Sequence, residues 1–227
     1  MLESVVGIFT VFKGGTMRIP ALALVIVSLV ACAGKVTYIP PSAPTTEYAN
    51  SIVVDRARED VWNDSVPELG KRYFVINNLD KSSGLINVSY SGDPEQYIDC
   101  GNITSFVSNA RGERTYNFAG AKAQQTYEIM NSSGLFFIDR KMALEGRVNL
   151  IFEEVSPSRT RVTANTRYVV RRQSTVRTAM SEFPRSNDDS IAFNAGGSGS
   201  FNNGDGSTTD CVATGELEQE ILSAIKR

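Results

Sequence analysis

The stretch from Met142 to Arg171 constrains the fold more than any other part of the chain. In "MALEGRVNLIFEEV", Met142, Leu144, Val148, Leu150 and Phe152 alternate with Glu145, Arg147, Asn149 and Glu153. In "RVTANTRYVVR", Val162, Ala164, Tyr168 and Val170 alternate with Arg161, Thr163, Asn165, Arg167 and Arg171. Successive strand residues point to opposite faces, so this period describes two half-buried strands. Joined through "SPSRT", they form an antiparallel hairpin with one apolar and one wet face. The wet face mixes Arg with Glu and reads as solvated surface; the rival reading is a site for an acidic partner.

The flanking sequence supplies further elements. "SIVVD" is a short β-branched strand. Residues 58–72 place Trp62, Val66 and Leu69 on one helical face, with Glu59 and Asp60 early and Lys71 and Arg72 late, as the helix dipole favours. Pro67 predicts a kink or break near Ser65. "YFVIN" and "LINVSY" flank "NLDKSSG" as a hairpin, with Phe74 and Ile76 facing the same way as Ile86, Val88 and Tyr90. At the end, "GELEQEILSAIKR" carries an apolar stripe of Leu217, Ile221, Leu222 and Ile225, which predicts a long terminal helix. The expected fold over residues 51–227 is a single α+β domain, an antiparallel curved sheet packed against that C-terminal helix.

Composition narrows the chemistry. The 227 residues hold no histidine, which removes Ser-His-Asp and Cys-His catalysis and His-ligated zinc. A net charge of −2 gives no electrostatic footprint for nucleic acid. Glu153 with Glu154, and Asp188 with Asp189, are adjacent on strands and so face apart, which denies an acid–base pair. The loop "NAGGSGSFNNGDGSTTD" lacks a phosphate-cradling lysine and calcium-loop spacing, and Asp205 and Asp210 alone are a poor cation site. It reads as a flexible hairpin tip. In "RGERTYNFAGAKAQQTYEIMNSSG", Arg111, Arg114 and Lys122 stand among Tyr116, Phe118 and Tyr127. This part of an insertion over residues 92–135 reads as a loop or irregular strand packing aromatics on the core, with a partner surface as the rival. No catalytic, cofactor or metal residue is assigned, and the chain does not read as an enzyme.

The N-terminal segment bears on location. Arg18 precedes an apolar block from Ile19 to Val30, broken only by Pro20 and Ser28. A helix of that length rises roughly 18 Å, short of a bilayer core of about 30 Å. Residues 1–31 therefore read as a signal peptide, with Met17 a candidate true start and residues 5–12 a possible extension of the apolar part. Leu29, Val30, Ala31 and Cys32 resemble the lipobox of bacterial lipoproteins; the alternatives are an ordinary signal peptide or a membrane anchor. That resemblance implies removal of the preceding peptide and lipidation of Cys32, with each buried CH₂ adding about 0.8 kcal/mol to anchoring. Because Ala33 and not aspartate follows, it also implies the outer membrane, facing the periplasm. Residues 34–50 hold three prolines with Ser and Thr, and read as an extended, solvated tether.

With Cys32 given to lipid, Cys100 and Cys211 remain as an even pair in an oxidising compartment. A disulfide is the leading reading; the rival redox or metal thiol has no CxxC motif or neighbouring His to support it. The order of elements over residues 51–227, with "VW" at Val61 and Trp62 opening the helix, is similar to the helix-grip domains of BamC-like lipoproteins of the outer-membrane β-barrel assembly machinery. This resemblance implies an envelope assembly or protein-interaction role with a protein partner. The alternative is a small apolar ligand or lipid held between the sheet and the C-terminal helix. Oligomeric state is left open.

Overall fold

A computed structural model describes residues 33–42, 49–72, 74–180 and 183–226. Residues 1–32, and with them the expected signal peptide, the candidate start at Met17 and the lipidation site Cys32, lie outside the described residues. In chain order the elements are β1 (Ala33–Ile39), β2 (Ser51–Val54), α1 (Arg58–Gly70), β3 (Val75–Asp80), β4 (Leu85–Gly92), β5 (Ile98–Asp99), β6 (Asn102–Asn109) and β7 (Gly112–Ala119). They continue as β8 (Gln124–Asn131), β9 (Gly134–Ser156), β10 (Arg159–Thr178), β11 (Arg185–Asn194), β12 (Ser198–Asn202), β13 (Thr208–Ala213) and α2 (Glu216–Ile225).

The spine is the hairpin expected from the alternating stretch, and it is longer than the alternation showed. β9 has 23 residues and spans roughly 75 Å at 3.4 Å per residue. It pairs with β10 from Ser156 opposite Arg159 to Phe136 opposite Thr178. Each outer edge of this hairpin takes two strands in succession. On β9, β4 covers Leu144 to Ile151, with β3 beyond it, and β8 covers Gly134 to Lys141. On β10, β2 covers Thr160 to Thr163 and β11 covers Arg167 to Val176. The hairpin thus has a proximal half near its own turn and a distal half away from it.

The proximal half carries the expected core. Leu144, Val148, Leu150, Phe152, Val162, Ala164, Tyr168 and Val170 are buried beneath the two helices, together with Trp62, Leu69, Leu217 and Ile221. Trp62 meets Phe152 edge to face at 5.2 Å. Gly146 occupies the inward register between Leu144 and Val148 because α2 crosses there: a Cβ would lie 2.7 Å from Leu217 Cδ2. α1 runs unbroken through Pro67, so the expected break near Ser65 does not occur. Pro67 stands in the last turn, where its missing N–H removes a single helical bond. Ser65 stays buried, its hydroxyl donating to the Val61 carbonyl at 2.6 Å.

The expected α+β, helix-grip-like architecture is overturned. Of the described residues, 62% lie in strands and 12% in two short helices, and no long C-terminal helix packs on a sheet. α2 has 10 residues and rises about 15 Å. The segment read as an insertion with irregular structure, by contrast, is built of regular strands. β6 and β7 pair with one another, and β8 pairs with β9. The reason is chemical: β6 fills inward pleat positions with Ile103, Ser105 and Val107, and a buried serine breaks the apolar alternation that marks a strand.

The tether reading also changes. Residues 33–39 are extended, but they form β1, paired with β6 from Ala33 opposite Ser108 to Ile39 opposite Asn102. The folded part therefore begins well before residue 51. Gly34 makes this possible, since a Cβ there would fall 2.1 Å from the Met130 carbonyl of β8. A third small sheet, β12–β13–β5, joins the end of the chain to this region. Cys100 and Cys211, both fully buried, are joined by the expected disulfide.

A candidate cleft between two sheets

The distal half of the hairpin is roofed by the β1–β6–β7 sheet, and a cleft of about 800 Å³ lies between them. Its floor follows from strand register. Ile129 of β8 stands beside Phe136 of β9 and, across it, Thr178 of β10; Tyr127 stands beside Ile138 and Val176; Gln125 stands beside Arg140 and Ser174. Next comes Met142 beside Arg172, which faces Asp189 of β11. The roof contributes Val36 and Tyr38 of β1 and Ile103 of β6. The tip of the β12–β13 hairpin, from Asn202 to Thr209, closes a third side.

These walls are tied together. The Tyr38 hydroxyl accepts from the Asp210 N–H at 2.8 Å and donates to the Asp210 carbonyl at 3.1 Å, next to the disulfide at Cys211. Ser105 donates to the Glu128 carbonyl at 2.6 Å, and Arg114 pairs with the Glu128 carboxylate at 2.7 Å, binding the roof to β8.

Two arginines face the cleft. Arg172 is satisfied: its guanidinium forks onto Asp189, donates to Asn203 and to the Asn202 carbonyl, and lies 4.5 Å from the Phe201 ring centre. This contact holds the hairpin that sequence reasoning described as a flexible tip, and Phe201 is fully buried beneath it. Arg140 differs. It is 3% exposed, and among the described residues no carboxylate pairs with it. Nη2 donates to the Ala119 carbonyl at 3.3 Å, the guanidinium carbon sits 5.1 Å from the Phe118 ring centre, and Nε is buried without a hydrogen-bond partner. Burial pushes the Arg140 guanidinium below its ordinary pKa, and the nearby charge of Arg172 pushes it in the same direction. Burial likewise raises the Tyr127 hydroxyl.

Sequence reasoning missed Arg140, although its signal was present. Continuing the apolar register back from Leu144 and Met142 lands on Arg140 and then Ile138. An arginine in an inward position is the informative exception. Arg172 stands in the same relation to Val170.

The remaining expected features are distributed elsewhere. Tyr127 and Phe118 pack together at 4.9 Å, Phe118 buried and Tyr127 half-buried at the wall of the cleft. Asp188 binds Arg171 and Gln173, while its neighbour Asp189 binds Arg172, so the pair faces apart. On the wet face a polar recess of about 620 Å³ runs over Asn87, Asn149 and Asn165, which lie in cross-strand register beside the facing pair Arg147 and Arg167. Between α2 and the sheet, where an apolar ligand was one expectation, Leu217 and Ile221 of α2 are at 0% exposure. Among the described residues no His, Cys, Asp or Glu cluster is placed to hold a metal ion, and no helix is long and apolar enough to cross a membrane. No protein family, curated protein or solved structure matches this chain.

Proposed function

We propose that this protein is a lipid-anchored, periplasm-facing component of the bacterial outer membrane that acts without catalysis by docking another envelope protein. The observation carrying this reading is the position of β1. It begins at the residue after Cys32 and forms an outer strand of its sheet. An extended segment of a partner can pair along such an edge, with main-chain hydrogen bonds giving affinity. At the same end of the molecule the β10–β11 turn carries Met180 at 99% and Phe183 at 80% exposure. Apolar side chains so exposed are consistent with contact to a membrane or a partner. A disulfide-bonded core is consistent with an oxidising compartment.

Mass spectrometry of the mature N-terminus tests the anchor: acyl groups on Cys32 are expected, and an unmodified Cys32 overturns it. A photo-crosslinking side chain at Lys35 on β1 tests docking. One discrete protein adduct is expected from Lys35 in intact cells and none from Arg159 at the other end of the hairpin. Absence of an adduct from Lys35 overturns docking through β1. A second reading, binding of a small apolar molecule, is favoured by the cleft on the distal half.

A further inference from the structure

We infer that the cleft is a binding site for a single-chain carboxylate amphiphile, with Arg140 holding its head group. This rests on the ligand reading of the cleft and is independent of the anchor at Cys32.

A buried guanidinium without a counter-charge is costly, and in a folded interior such charges are paired. Arg140 has no carboxylate partner among the described residues, and its Nε lacks any acceptor. Its near neighbours do not neutralise it. Arg172 is a second cation already committed to Asp189, Tyr127 is a phenol, and Asp139 lies on the opposite face of β9 because it is adjacent in a strand. One uncompensated positive charge calls for one negative charge. The planar fork of a guanidinium matches the two oxygens of a carboxylate, and such charge-assisted bonds strengthen out of water.

The rest of the ligand is specified by what lies beyond Arg140. On β9, Ile138 and Phe136 follow it on the same face, about 14 Å in all at 3.4 Å per residue. Tyr127 and Ile129 flank them on β8, Val176 on β10, and Val36 roofs them from β1. These surfaces are apolar and run from the charge toward the end of the molecule where β1 begins, since Gly34 lies against Met130 and Met130 pairs with Leu135. A head group at Arg140 with a chain along this strip answers the guanidinium charge at the cleft wall and covers apolar surface together.

Dansyl-aminoundecanoic acid reports the site through the rise and blue shift of its fluorescence. Saturable binding to the purified full chain is expected, with displacement by dodecanoate and not by dodecanol at equal concentration. Arg140→Gln should weaken binding about tenfold or more, the loss of one charge-assisted contact. Val176→Trp, which fills the strip and leaves Arg140 in place, should abolish it; this variant keeps the test decisive if Arg140→Gln does not fold. Equal displacement by dodecanol, or unchanged binding to Arg140→Gln, overturns the head-group assignment. Tighter displacement by dodecyl phosphate overturns the carboxylate. Unchanged binding to Val176→Trp overturns the placement, and absence of saturable binding by the unaltered protein overturns the ligand reading as a whole.

Discussion

The two halves of the β9–β10 hairpin share their strands, their register and their alternation, yet one is sealed and the other is open. Over the proximal half lie helices, whose side chains radiate from a cylinder and fill the space above the pleats. Leu217 reaches down onto Gly146, and Trp62 closes on Phe152. Over the distal half lies a three-stranded sheet. Packed sheets stand about 10 Å apart and fill that gap only where both present large side chains. Here the roof touches β8 closely at Gly34 and Ser105, and a cleft remains beside them under Val36, Tyr38 and Ile103. The covering element, more than the strands beneath it, decides whether this hairpin makes core or cavity.

The largest effect should come from the link that holds the open half together. Replacing Cys100 and Cys211 by serine removes a crosslink spanning 111 residues, with an expected cost of about 4–5 kcal/mol in urea unfolding. Hydrogen exchange should rise first in β6, β12 and β13; uniform loss over both halves would show that the two halves open as one unit. Next in size, Leu217→Ala should cost about 3 kcal/mol, because the sealed half has no slack to refill the void. Tyr168→Phe should cost about 2 kcal/mol, since the buried Glu218 carboxylate accepts from the Tyr168 hydroxyl at 2.7 Å on both oxygens. Val36→Ala, on the roof of the cleft and 46% exposed, should cost no more than about 0.5 kcal/mol. A cost equal to that of Leu217→Ala would show the cleft to be closed in solution.

The smallest effect is electrostatic. Hydrogen bonds from Arg171 and Gln173 hold the Asp188 carboxyl at about 2, below its ordinary 3.8. A depressed carboxylate stabilises the fold fully above the ordinary value and loses this as pH falls through the depressed one. The β10–β11 pairing should therefore weaken as pH drops from 3.8 toward 2, visible in amide chemical shifts of those strands, and Asp188→Asn should remove that dependence.

The sealed half was the legible one. Met142, Leu144, Val148, Leu150 and Phe152, matched by Val162 to Val170, showed strand, register and buried face, because apolar side chains fill every inward site except Gly146 and Thr166. The open half was obscured for the same reason in reverse. β6 buries Ser105, β1 passes through Gly34, and the strip on β9 is interrupted by Arg140, so the hydrophobic period fades where the cleft begins. The small residues that let the roof meet β8, and the arginine at the cleft wall, are those that weaken the pattern announcing a strand. Arg140 was accessible by extending the register from Leu144, but its lack of a carboxylate partner among the described residues was not, since that depends on what β8, β10 and β7 bring near it.

By itself the sequence determined the central hairpin, its buried face, the amphipathic stripe of α2 and the pairing of two cysteines once the third was set aside. These follow from period and count, which are local properties. Only the tertiary structure decided that residues 33–39 complete a sheet, that residues 102–131 hold three strands, and that the distal half stays open around an arginine with no carboxylate partner among the described residues. Those outcomes depend on contacts between segments far apart in the chain, where the size of a facing side chain settles whether two surfaces meet.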